Sequence, residues 1–102
     1  MKTALTRQQM FHVTTHRSNT LQRLQIAAGP DGVITAMGHE VWSHSTHFDD
    51  FYEPAAMATR SLYAGAHRKT RHRSLPLDLP MAGSTRGPGE AVGMLGVECV
   101  MD

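Results

Sequence analysis

Leu21-Gln22-Arg23-Leu24-Gln25-Ile26-Ala27, then Gly29-Pro30-Asp31-Gly32, then Val33-Ile34-Thr35-Ala36-Met37-Gly38-His39-Glu40-Val41-Trp42 read in succession as a strand, a turn and a second strand. Side chains alternate across a strand, so Val33, Thr35, Met37, His39 and Val41 share one side of the second strand, and Ile34, Ala36 and Trp42 share the other. Apolar groups on both sides need cover on both, and a two-stranded hairpin is marginal in water by itself. The expectation is an α+β fold: a β-hairpin or small mixed sheet packed against two or three short helices.

Upstream of the hairpin, Thr6-Arg7-Gln8-Gln9-Met10-Phe11 predicts a short helix, with Thr6 as N-cap and Gln9 completing a capping box. The polar stretch from His12 to Asn19 has no period and reads as a loop. Downstream, Pro54 suits a first helical turn, and Ala55-Ala56-Met57-Ala58-Thr59-Arg60-Ser61-Leu62-Tyr63-Ala64 predicts a short helix that Gly65 ends.

His67-Arg68-Lys69-Thr70-Arg71-His72-Arg73 is the one concentrated basic run. If extended, it puts His67, Lys69, Arg71 and Arg73 on one face, with Arg68, Thr70 and His72 on the other. Pro76 and Pro80 point to an edge or irregular strand, because proline cannot donate to a central ladder. The chain has ten basic and nine acidic residues and a formal charge of +1, so its charge balance does not indicate a nucleic-acid partner.

His39, His44, His47, Asp49 and Asp50 invite a metal reading. On a strand His39 and His47 share a face that His44 does not, and the spacing matches no zinc pattern, so no metal ligand is assigned. Cys99 is the only cysteine, which excludes an intrachain disulfide, and its apolar surroundings predict a buried thiol. No uncharged apolar run approaches the length that spans a bilayer, so a cytoplasmic protein without membrane partners is expected. One domain over residues 1–102 accommodates all of this, with a core smaller than that of a typical enzyme.

Ser84-Thr85-Arg86-Gly87-Pro88-Gly89-Glu90 leads into the apolar run from Ala91 to Asp102, which predicts a tight loop feeding a mostly buried helix. Such a loop can offer main-chain N–H groups and an arginine to an anion.

Several separated stretches, taken together, resemble the molybdopterin-binding large subunit of the xanthine dehydrogenase and aldehyde oxidoreductase family. They are Leu5-Thr6-Arg7-Gln8-Gln9-Met10-Phe11, His16-Arg17, Gln22-Arg23-Leu24, Phe51-Tyr52-Glu53-Pro54-Ala55-Ala56, Leu62-Tyr63-Ala64, Thr70-Arg71-His72-Arg73, Leu77-Asp78-Leu79-Pro80, Arg86-Gly87-Pro88-Gly89-Glu90-Ala91 and Glu98-Cys99-Val100-Met101-Asp102. The likeness runs in order along nearly the whole chain. It implies a partial domain of a molybdenum hydroxylase whose large subunit holds molybdopterin, while iron–sulfur and flavin subunits move electrons. It also implies that Arg86 and the backbones of Gly87 and Gly89 are cofactor-binding.

The family's large subunit is several times longer. Its glycine-rich cofactor loop and its later glycine-glutamate motif with the general base have no counterpart in this sequence, so no catalytic residue is assigned. The expected function is that of a fragment or separately encoded piece of such a subunit, not catalytic alone and joined to the remaining large-subunit pieces. A different class of reading is a stand-alone module that associates with itself or a partner and has lost cofactor chemistry.

Overall fold

The computed structural model describes residues 1–102. In chain order it contains helix α1 (Arg7–Val13), strands β1 (Thr20–Ala28) and β2 (Ile34–Ser45), a 3₁₀ turn (Ala58–Arg60), strand β3 (His67–Pro76) and helix α2 (Glu90–Met101). The strands form one mixed sheet in the order β1-β2-β3, antiparallel between β1 and β2 and parallel between β2 and β3. This is the α+β architecture that the sequence indicates.

The capping box at α1 forms as expected: Gln9 N–H donates to Thr6 Oγ1 and Thr6 N–H to Gln9 Oε1. The hairpin turn closes through Gly32 N–H to Gly29 O at 3.0 Å, with Gly32 at φ +78°. Strand β3 lies at the sheet edge and ends at Pro76, in keeping with its prolines.

Four local expectations change. Pro54 to Ala64 forms no α-helix, only turns around Ala58–Arg60, closed mostly by i to i+3 bonds such as Met57 N–H to Pro54 O at 3.0 Å and Arg60 N–H to Met57 O at 3.1 Å. At the start of the segment Ala56 N–H donates to His72 Nε2 at 3.1 Å and docks it on β3. Strand β2 runs on through Ser43, His44 and Ser45, all buried, where the composition allows either a solvated polar loop or hydrogen-bonding histidines. Helix α2 buries only Gly93 and Val97, and Cys99 on its outer side is exposed.

The sheet is also less symmetric than the hairpin pattern suggests. Met37, His39, Val41 and Ser43 are buried on the face toward α2, while the opposite face is charged. The core itself is thin. Val41, Ala55 and Ala56 form it, with Val92 of α2 packed against them.

The buried face holds a polar chain that joins four elements. Gln22 Nε2 donates to Val92 O at 3.2 Å and to Thr20 Oγ1 at 3.1 Å, so its Oε1 is left as an acceptor. His39 Nε2 lies 3.0 Å from that oxygen and donates to it. His39 Nδ1 therefore accepts from the Thr59 hydroxyl at 2.7 Å. The ring is a neutral Nε2–H tautomer, and burial, followed by the nearby His72, lowers its pKa below the ordinary value of 6.5.

The molecule extends 60 × 23 × 20 Å, with a radius of gyration of 16.8 Å. A compact chain of this length has about 13 Å. Helix α1 has no buried residue, and Phe11, Val13, Leu21, Phe48 and Leu95 are all exposed. No helix is long and apolar enough to cross a membrane.

Candidate functional site: the Arg86 loop

The loop from Ser84 to Gly89 is fixed from outside its own stretch of chain. Its root is tied to the segment after α1 by a parallel bridge between His16 and Ala82, in which His16 N–H donates to Met81 O at 3.1 Å and Gly83 N–H to His16 O at 2.9 Å. The next residue, Arg17, then clamps the loop. Its Nη1 donates to Gly87 O at 3.3 Å and to Glu53 Oε1 at 3.2 Å, and its Nη2 donates to Arg86 O.

Glu53 is fully buried, and its Oε1 also accepts the Gly89 N–H. One carboxylate oxygen thus holds the clamping arginine and the start of α2 together. Glu53 is itself positioned by its N–H donating to Ser43 Oγ of β2 at 3.3 Å.

Gly89 has φ +81°, and a Cβ there would stand 2.5 Å from Pro54 O. Both facts demand glycine at this position. The expected N–H donor at Gly89 is thus spent on Glu53, and the residue acts as a shape element of the loop. Gly87, at φ +65°, has room for a Cβ, and its N–H has no partner within the chain.

The direction of that N–H follows from Arg17. All peptide bonds are trans, so the C=O of Arg86 and the N–H of Gly87 point opposite ways across their shared plane. Because Arg17 draws the Arg86 carbonyl toward itself, the Gly87 N–H is turned to the other side. The Arg86 side chain is exposed and pairs with no carboxylate. In the same neighbourhood Thr85 Oγ1, His16 Nδ1 and Glu53 Oε2 are buried without a hydrogen-bond partner.

Arg86, Gly87 and Gly89 therefore stand together, as the sequence suggests, but Arg17 and Glu53 set their geometry. Neither carried a role in the sequence reading. Their contacts with the loop span 36 to 70 residues, a range at which local pattern carries no signal.

The candidate metal cluster resolves into hydrogen bonds. His44 Nδ1 accepts from Asn19 N–H at 3.2 Å, and His44 Nε2 reaches Pro80 O at 3.3 Å. Both His39 nitrogens are likewise engaged.

Comparison with known proteins places this loop in context. Residues 1–102 match the family model described as molybdopterin cofactor-binding domain. The chain is 42% identical over 102 residues to the aldehyde oxidoreductase molybdenum-binding subunit PaoC of Escherichia coli K12, and equally to its counterpart in Escherichia coli O157:H7. The alignments cover 100% of this chain and 14% of each relative, so the chain spans about one-seventh of their length.

Proposed function

The chain belongs to the molybdopterin cofactor-binding domain family, and on that premise we propose that it furnishes one wall of a molybdopterin site in an aldehyde oxidoreductase-like molybdenum-binding subunit. The observation that carries this reading is the loop geometry: a partnerless Gly87 N–H turned away from Arg17, next in the chain to the exposed and unpaired Arg86. These are the donors an anionic group takes up, one neutral and directional, one charged. Thr85, in the same loop, adds a buried hydroxyl without a partner. The residues present thus fit an anionic pterin, with Arg86 and Gly87 touching it and Gly89 shaping the loop.

When bound, the cofactor, molybdopterin carrying molybdenum, would supply the redox chemistry. The segment's own part is to hold one side of it. One oxygen of Glu53 is engaged by Arg17 and Gly89 while the other is buried without a partner, and Glu90, which follows the loop, opens α2. We infer that the segment is not catalytic by itself, since it spans about one-seventh of its relatives' length.

The thin core and exposed apolar side chains support burial against further polypeptide of the same subunit, with iron–sulfur and flavin subunits beyond it. Self-association would cover the same surfaces, and light scattering across concentration separates the two, since only the second gives dimers of the pure chain. An exposed, unpaired Cys99 suits the reducing cytoplasm.

The test is retention of added molybdopterin by the purified chain, read from the fluorescence of the extracted, oxidised pterin. Arg86→Ala is expected to lower retention about tenfold, the loss of one charge-assisted contact. Equal retention by both proteins defeats the loop assignment, and aldehyde oxidation by the pure chain defeats the wall-only reading.

A further inference from the structure

The face of the sheet turned away from α2 carries a second constellation, which the Arg86 loop does not use. Strand register sets it out in three rows: Leu21, Trp42 and Arg73; Arg23, Glu40 and Arg71; Gln25, Gly38 and Lys69. Over the last two rows lies a hollow of about 100 Å³, lined by Arg23, Gln25, Gly38, His39, Glu40, Lys69 and Arg71, with no hydrophobic side chain. Gly38, in the middle of its row, leaves the floor open between Gln25 and Lys69.

The charges around the hollow do not balance. Glu40 is its one carboxylate, and that is shared between Arg73 at 3.0 Å and Arg71 at 3.6 Å. Lys69 and Arg23 have no acidic partner, although they stand on either side of the hollow. Three cations from two outer strands thus face a small polar cavity with one overcommitted acid. Like charges brought together on a sheet face are unfavourable until an anion lies between them.

We propose that this hollow binds a small tetrahedral dianion, either free phosphate or the phosphoryl group of a small metabolite, through Lys69, Arg23 and Arg71, with Gln25 as a neutral donor. The size of the hollow suits an ion of this kind. The site shares no residue with the Arg86 loop and does not rest on the cofactor reading.

Trp42 gives a direct reporter. It is the only tryptophan, and the guanidinium groups of Arg23 and Arg73 each lie 5.8 Å from its ring centroid. An anion that draws Arg23 toward the hollow shifts the cation over the ring and alters emission. The experiment is a fluorescence titration of the full chain with inorganic phosphate, with chloride holding ionic strength constant, repeated with glycerol phosphate.

A saturable response is expected, weakened about tenfold by Lys69→Ala and by Arg71→Ala, which are exposed positions. Glu40→Gln is expected to tighten binding, because it removes the competing acid, whereas a mere loss of structure cannot produce a gain. Arg86→Ala is expected to change nothing. Response to phosphate alone identifies the free ion, and response to both compounds identifies a carried phosphoryl group. The proposal is overturned by a non-saturating response equal to that of chloride, by full binding in Lys69→Ala, or by binding that disappears in Arg86→Ala.

Discussion

Glu53 and Gly89 lie 36 residues apart and are joined by a hydrogen bond inside the protein, from the glycine N–H to a carboxylate with no exposed surface. The same oxygen pairs with Arg17, so one buried charge joins Gly89, at the end of the loop, to the arginine that holds the Arg86 and Gly87 carbonyls. Removing it with Glu53→Ala leaves a guanidinium and a main-chain donor without their acceptor. The expected loss is about 3 kcal/mol, the lower end for breaking a buried pair, because Arg17 is partly exposed. Glu53→Gln keeps an oxygen for Gly89 and is expected to cost about half as much. Urea unfolding midpoints of the three proteins test the order.

Gly93 is where α2 meets the Glu53–Ala56 segment. A Cβ there would sit 1.8 Å from Ala55 O, a main-chain atom that cannot swing aside. An alanine ordinarily gains about 1 kcal/mol over glycine inside a helix. Gly93→Ala is expected to do the opposite and destabilise by about 3 kcal/mol, as α2 is pushed off the core. A thermal midpoint at or above that of the parent protein would mean that α2 does not pack this closely.

Acid should loosen the buried face of the sheet. His39 and His72 both have pKa values below the ordinary 6.5, each chiefly through burial, with His72 adding to the first and Arg60 to the second. Between the folded value and the unfolded one the unfolded chain binds more protons, so the stability from neutral histidine is complete above pH 6.5. It is lost as pH falls through that value toward the lower folded pKa. Urea midpoints measured downward from pH 8 should therefore decline from about pH 6.5, and a flat profile there would show that these rings remain accessible to protons.

Cys99 is exposed on α2, so a maleimide should label it in the native chain as completely as in urea. Protection of the native thiol, relieved by urea, would show that this side of α2 is covered in solution.

The hairpin, the α1 capping box and the edge position of β3 were legible because each is written over a few consecutive residues: Gly29 to Gly32, Thr6 to Gln9, and the basic run ending at Pro76. The missing helix after Pro54 was not. Alanine-rich composition favours a helix, but the segment is docked on the sheet through Glu53 N–H to Ser43 and Ala56 N–H to His72, and its own main-chain bonds are mostly i to i+3 turns. Ser43, His44 and Ser45 look solvated by composition, yet are buried because their polar atoms find partners in distant segments, as His44 does with Asn19 and Pro80. The Arg86-Gly87-Pro88-Gly89 loop could be located from its residues. Which of its N–H groups is free depends on Arg17 and Glu53, and so on the tertiary structure.

The bridge between His16 and Ala82 has a consequence for how the loop opens. The His16 and Gly83 amides are both donors in it, and both must be released for the strand before Ser84 to leave. Hydrogen exchange at these two amides should therefore show one protection factor, as a single cooperative unit joining the start of the chain to the approach to Arg86. Local melting of the amino-terminal segment would unlatch the loop even while the sheet stays intact.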